Sequence, residues 1–410
     1  MRQNFHRAVG HFSLCFYFLI VLMGCSKSAP KESGQWNWPE QMHIAAPGRS
    51  GLAKYVSWAS VLEADTGMAV RVIPETNHGI SMGLVKSGKM LLSSGSKSIL
   101  SHIIEGLEDQ ATDENGGFQP RIVWIHDLAN SGFFVRSDSE IQTIYDITVG
   151  TKFSVWNMRE STLNPYRSLL AWIQVDESSI EWINAGSFES AMRAVSEGRA
   201  DVAFGFPASP LMNELAAAPH GLRLLDLNSD QDPAGAKRWQ SISPLYSFGL
   251  IESGIDEARQ HWGSVGYIFN ITSENTDEEL IYHLAQWLDE HFEDYEDNYG
   301  TNRYMSLHHL MEALKTTFVP VHPGLIRYLE DLGLWTDAHR IRQEENLRLL
   351  KRYEIAYSEA KLLAKDKNIE VNPLNDEWLS FWQSYKVVQK IPKLGQHPSL
   401  TERADPVYPE

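Results

Sequence analysis

Cysteine is almost missing from these 410 residues: there are two, Cys15 and Cys25. Cys15 lies in an N-terminal apolar stretch with the form of a cleaved signal, so the mature chain holds one thiol. It can close no internal disulfide and build no thiolate metal site, and its stability has to come from a packed core. Long hydrophobic runs are equally scarce. Only Phe12 to Met23 is nearly unbroken, and it is shorter than the ~20 apolar residues that span a ~30 Å hydrocarbon core. Positive charge is also in short supply, 36 Lys and Arg against 53 Asp and Glu, for a net charge of −17. That balance argues against nucleic acid or an anionic lipid surface as a partner of the body. The 43% hydrophobic content and thirteen Trp mark a folded globular chain rather than a disordered one.

What is present begins with export. Arg2 and Arg7 precede the apolar run, and Gly24-Cys25 follows it, which reads as a signal segment. Leu22-Met23-Gly24-Cys25 resembles a bacterial lipobox, in which the Cys thiol is acylated and becomes the mature N-terminus. The alternative is an ordinary signal peptide cleaved nearby. The polar stretch after Cys25 suits a surface tether.

From Met42 onward short apolar runs alternate with amphipathic stretches, the pattern of an α/β sheet. Strands are expected at His43–Ala46, Met68–Ile73, Met90–Leu92, Arg121–Ile125 and Gly132–Val135, with helices between them. A second set follows the polar stretch Ser137 to Glu140, which serves as the expected connection between lobes. It has strands at Ile147–Gly150, Ile180–Ile183 and Val202–Phe206, and a helix that Ser187 can cap. Leu84 to Leu92 and Ala194 to Val202 echo each other, each ending a helix on Gly and entering a strand after the same interval. Two lobes of similar build are expected.

In open α/β sheets ligands bind beyond the carboxyl ends of the strands, where helix N-termini offer free N–H groups. The polar junctions there nominate Arg49, Ser50, Gly51, Asn77, Ser96, Lys97, Ser154 and Asn157 as ligand-binding residues, with Trp156 and Phe206 as apolar walls. Arg49 can present a planar fork to a carboxylate. A small anionic molecule, with at least one carboxylate or comparable group, is the expected ligand.

The order of these motifs resembles the TAXI family of solute receptors, which serve TRAP-type secondary transporters. The resemblance runs from about His43 to Trp335. It is carried by the loop Pro47 to Gly51, the helix-Gly-strand unit around Gly88, and Phe188 to Leu215 with its Asp201-Val202-Ala203-Phe204-Gly205-Phe206-Pro207. Its most specific piece is Val319-Pro320-Val321-His322-Pro323-Gly324, followed by Tyr328 and Gly333. The resemblance implies a two-lobed periplasmic-binding-protein-like fold, a membrane permease as partner, and glutamate-like amino acids or dicarboxylates as ligands. This chain departs from the family in its ligand loops, with Pro47 and Arg49 in the first and Lys152 to Asn157 in place of a Gly-Ser-Gly-Thr-like second. The expected division is a signal peptide over 1–24, a lipidated tether over 25–41, lobe I over 43–136 with return segments from 243–335, lobe II over 140–240, and a helical C-terminal extension over 336–410. The extension is either a packed appendage or a contact surface.

Sharper chemistry fails on order or spacing. Ser94-Gly95-Ser96-Lys97 matches the Ser-x-x-Lys of penicillin-interacting serine enzymes, and Lys86-Ser87-Gly88 is similar to their Lys-Thr-Gly. In those enzymes that second element lies far downstream of the nucleophile, whereas here it precedes Ser94. Neither Glu279 with His283 nor His308 with His309 forms a closed metal set, and Asp289 to Asp297 lacks the order of a calcium loop. No enzyme activity and no cofactor or metal is therefore expected. A receptor that delivers a solute to a permease is the first reading. A receptor-shaped sensor or envelope protein acting through protein contacts is the other.

Overall fold

The computed structural model describes residues 36–75 and 77–396, the side chains of residues 48–50 and 396 excepted. Cys25 and the tether up to residue 35 lie outside the described residues, as do 397–410.

The chain first lays down β1 (Gln41–Ala46), α1 (Gly48–Thr66), β2 (Ala69–Pro74), α2 (His78–Lys86), β3 (Ser93–Ser96), α3 (Lys97–Glu105) and β4 (Pro120–Leu128). A second series follows: β5 (Gly132–Val135), β6 (Lys152–Val155), α4 (Glu160–Ile173), β7 (Glu181–Asn184), α5 (Phe188–Ser196), β8 (Val202–Gly205), α6 (Pro210–Ala216) and β9 (Arg223–Leu225). Helix α7 (Pro233–Ile242) leads to the hairpin β10 (Ser247–Leu250) and β11 (Trp262–Val265), and then to β12 (Tyr267–Ser273). The rest is helical, with α8 (Glu278–Glu290), α9 (Phe292–Tyr295), α10 (Leu307–Leu314), α11 (Pro323–Asp331), α12 (Asp337–Asp366) and α13 (Asp376–Val388).

Two sheets share one plan. In lobe I, β1 and β2 pair in parallel, and a bridge from Ile44 to Leu92 joins them to β3, β12 and β4, giving the order β2-β1-β3-β12-β4. In lobe II the order is β7-β6-β8-β5-β9. The fourth strand of each is antiparallel to both neighbours. Each fourth strand arrives from the other lobe, β5 straight from β4 and β12 straight from β11. The echoed segments prove equivalent down to their hydrogen bonds. The Leu84 carbonyl accepts from Lys89 and Met90, and the Ala194 carbonyl from Arg199 and Ala200. Gly88 and Gly198 sit at φ 71° and 72°, the left-handed backbone that glycine adopts without penalty at a helix end.

Four details differ from the sequence reading. The strand expected at Met90–Leu92 falls instead at Ser93–Ser96, with Leu92 making only the bridge to Ile44, so the small polar residues expected to lead into α3 are themselves the strand. Gly132–Val135 belongs to lobe II, because its backbone pairs with Phe204 and Leu225 rather than with lobe I. The lobes are therefore joined at 129–131 and 264–266, where Ala129 donates to Gly266 O at 2.8 Å and Ser131 and Ser264 exchange bonds of 2.9 and 2.8 Å. Ser137 to Glu140 is not that connection; Ser137 Oγ donates to Leu222 O at 2.8 Å within lobe II. The strand expected at Ile147–Gly150 is a loop, and the sheet begins at Lys152 once Gly150, at φ 86°, has turned the chain.

The extension packs rather than dangles. Tyr353, Tyr357, Trp378 and Trp382 belong to the same apolar cluster as the lobe I strands. Trp378 Nε1 donates to Ala111 O at 2.8 Å and Trp382 Nε1 to Glu105 O at 2.9 Å. Lobe II carries an aromatic layer on one face of its sheet (Phe133, Tyr166, Trp172, Trp239) and an aliphatic one on the other (Met192, Val195, Met212).

Candidate ligand site

Lys97 is the first residue of α3, directly beyond β3, and only 7% of it is exposed. An ammonium has three donors. One points to Thr316 O at 3.3 Å, and no acidic side chain pairs with this group among the described residues. Burial pulls its pKa down from 10.5 to about 8, because the charged form loses hydration without a counter-ion. It lines a cavity of about 490 Å³ between the lobes, next to the connecting residues Leu128, Asn130 and Gly266. The other walls come from the β10–β11 hairpin, including Glu252 and Trp262, and from α10, including His309 and Glu312. Of these, the two α10 side chains have partners of their own, Glu312 with Lys315 at 2.6 Å and His309 Nδ1 with Ser306 Oγ at 2.7 Å.

On lobe II, Trp156, Phe188 and Phe206 form a triangle at the ends of β6 and β8, and none of the three lines the Lys97 cavity. Their ring centroids are 5.8 Å apart for Trp156–Phe188, 6.3 Å for Trp156–Phe206 and 5.4 Å for Phe188–Phe206. Phe206 is 42% exposed, so this surface is open to a partner. Phe188 was absent from the expected set. The signal was the Ser187 cap, whose Oγ accepts from Ser190 N at 3.1 Å and sets Phe188 at the helix mouth.

The remaining expected residues divide. Asn77 and Ser96 begin α2 and α3, but their side-chain oxygens accept from the helices' own N–H groups. Asn157 Oδ1 likewise accepts from Arg159 N at 3.0 Å. Gly51 is buried, and a Cβ there would lie 2.7 Å from Pro47 Cδ, so its task is the tight entry to α1. Ser154 sits inside β6 between Ile183 and Ala203, fully buried, and does not line the Lys97 cavity. The side chains of Arg49 and Ser50 lie outside the described residues.

The lobes also meet away from the hinge. The Glu108 carboxylate accepts from Ser161 N at 3.0 Å, at the start of α4, and Asp109 pairs with Arg159 beside it. Lobe I thus supplies an acidic cap to a lobe II helix. Among the described residues no group of three or more metal-ligating side chains exists, and no helix is long and apolar enough to cross a membrane.

Residues 57–333 match the NMT1-like family. The chain belongs to it. No curated protein matches the chain. Among solved structures it is similar to XAC2383 from Xanthomonas citri bound to chloride ion, at 11% identity, 77% coverage of this chain and 99% of that one, and a TM-score of 0.38. It is also similar to the periplasmic aliphatic sulphonate binding protein SsuA from Escherichia coli, at 12% identity, 87% and 95% coverage, and a TM-score of 0.37. The NMT1-like match and the paired sheets with exchanged strands make this a solute-binding protein of the periplasmic-binding-protein type. Proteins of that type bind small molecules and deliver them to a membrane transporter.

Proposed function

We propose that this NMT1-like protein is a receptor tethered outside the membrane through Cys25, which captures a small carboxylate-bearing solute between its lobes for a TRAP-type permease. The observation that carries the ligand class is Lys97. Its ammonium is buried, meets one carbonyl at 3.3 Å and faces a cavity bounded by both connecting strands. A buried charge without a partner is costly, and an anionic ligand removes that cost while taking the free donors. The aromatic triangle supplies apolar surface on the other lobe. Support for the permease class comes from the resemblance of Val319 to Gly324 to the TAXI pattern. There Val321 bridges to β4 and His322 Nδ1 accepts from Gly324 N at 3.2 Å, opening α11.

A thermal-shift screen of amino acids, dicarboxylates, keto acids and neutral sugars tests the ligand class. A true ligand at a hundred times its Kd stabilises by about 2.7 kcal/mol, a rise of roughly 5–10 °C in Tm. The shift is expected among the carboxylates; a shift with neutral sugars alone rejects the assignment. For the anchor, a fatty-acid probe is expected to label wild-type cells and to miss Cys25→Ser. Wild-type protein found unlabelled and soluble in the periplasm overturns the tether.

A further inference from the structure

A second cavity of about 490 Å³ lies on the far side of α3, and its walls come from three sources. Lobe I gives Ser98, His102 and Glu105; lobe II gives the start of α4 and residues 242–246; the extension gives Tyr353, Lys386 and Lys393. The family match stops at residue 333, so the third wall lies outside the matched segment. The tail closes the rim: a Cβ on Gly395 would lie 2.3 Å from Pro244 Cγ, direct contact between extension and lobe II.

Charge in this cavity is unevenly committed. The Glu105 carboxylate accepts from Leu394 N at 3.0 Å, and Glu160 takes both its bonds from Arg167 at 2.9 Å. Lys386, 7% exposed, has one hydrogen bond, to Glu105 O at 3.4 Å, and lies 5.1 Å over the Trp382 ring. Neither Lys386 nor Lys393 forms an ion pair among the described residues. Glu160 is neutralised by Arg167, and the buried Glu105 carboxylate is the one acid of the lining whose charge acts on Lys386 and Lys393. Two ammonium groups against one carboxylate leave the lining with positive charge in excess, which favours an anion. Apolar side chains fill the rest of the lining, Pro165, Ile242, Leu245, Val387 and Ile391 among them. The volume falls within the ~300–1,000 Å³ typical of small-molecule pockets.

We infer that the C-terminal extension completes a second ligand site, separate from the Lys97 cavity, for a small amphipathic carboxylate whose head meets Lys386 and Lys393. Its occupant touches both lobes and the extension together, and so fixes their separation.

The test uses octanoate and the full chain in titration calorimetry, with octanol as the neutral match. Wild type and Lys97→Met are expected to bind octanoate alike. Lys386→Met keeps the stem on Trp382 and is expected to weaken binding about tenfold or more; the exposed Lys393→Ala weakens it without threatening the fold. Octanol is expected to bind at least about tenfold more weakly than octanoate. Loss of octanoate binding in Lys97→Met with retention in Lys386→Met places the probe in the hinge cavity and overturns the inference. Absence of binding to wild type at millimolar octanoate overturns it too. Neither result touches the carboxylate screen of the Lys97 cavity.

Discussion

Tyr357→Ala is expected to lower the unfolding free energy by about 3–5 kcal/mol, the usual cost of deleting a buried aromatic ring. Tyr357 is 1% exposed and meets Trp378 and Trp382 edge-on, with centroids at 5.7 and 4.9 Å. Its hydroxyl donates to Thr112 O at 2.7 Å, an acceptor that the substitution strands. Three glycines make room for the ring. A Cβ on Gly116 would fall 2.0 Å from its Cζ, one on Gly106 2.7 Å from its Cε2, and one on Gly117 3.3 Å from its Cβ. Such a cradle cannot collapse into the space left behind, so the cost falls at the upper end of the range. Urea unfolding followed by Trp fluorescence and by far-UV circular dichroism reads it. A single transition displaced to lower urea is expected, since the extension and lobe I share one apolar cluster. Two separated transitions, or a change below about 1 kcal/mol, which is ordinary for a surface substitution, would show the extension to be an independent appendage.

The duplicated plan was legible because its marks are local. A helix closing on glycine and re-entering a strand depends on a few consecutive residues, and Gly88 and Gly198 carry it in the same way. The crossing of the lobes was not legible. Gly132–Val135 is an apolar run that suits either sheet, and only its long-range partners, Phe204 and Leu225, decide. Ser154 misled for a related reason. Reading Ile147–Gly150 as the strand left Ser154 in a junction loop, whereas the true strand starts beyond Gly150 and turns the residue inward. Helix-start polar residues divided by what else could bond them. Asn77 and Ser96 satisfy their own helices, as short polar side chains at such positions generally do, while Lys97 has no local acceptor beyond one carbonyl. The role of Lys386 could not be read at all, since its cavity exists only once three separate segments of chain have met.

Lys97→Met is expected to make the ligand-free protein more stable and to weaken its ligand binding roughly thirtyfold or more. The folded-state pKa of about 8 lies below the ordinary 10.5, which corresponds to a cost of about 3 kcal/mol for keeping the charge buried at neutral pH. The sign follows from proton counts. Between about pH 8 and 10.5 the unfolded chain holds a proton that the folded one lacks, so stability rises with pH across that window; below it the cost is present in full, and above it the cost is gone. Methionine keeps the stem and carries no charge. The variant should therefore gain up to about 3 kcal/mol at pH 7, and the difference between the two proteins should shrink towards pH 10.5. Glu252, Tyr267, His309 and Glu312 share the cavity and remain in both proteins, so the comparison isolates the lysine. Affinity moves the other way: losing the ammonium that meets a desolvated carboxylate costs about 2 kcal/mol or more, roughly thirtyfold in Kd. In wild type the affinity should fall above pH 8 by up to tenfold per pH unit, and the fall should be missing from whatever binding the variant keeps. Urea melts across pH and calorimetry with the ligand found by thermal shift measure both sides. A variant that is no more stable at pH 7 and binds as tightly as wild type would remove Lys97 from the site, and with it the physical basis for an anionic ligand there.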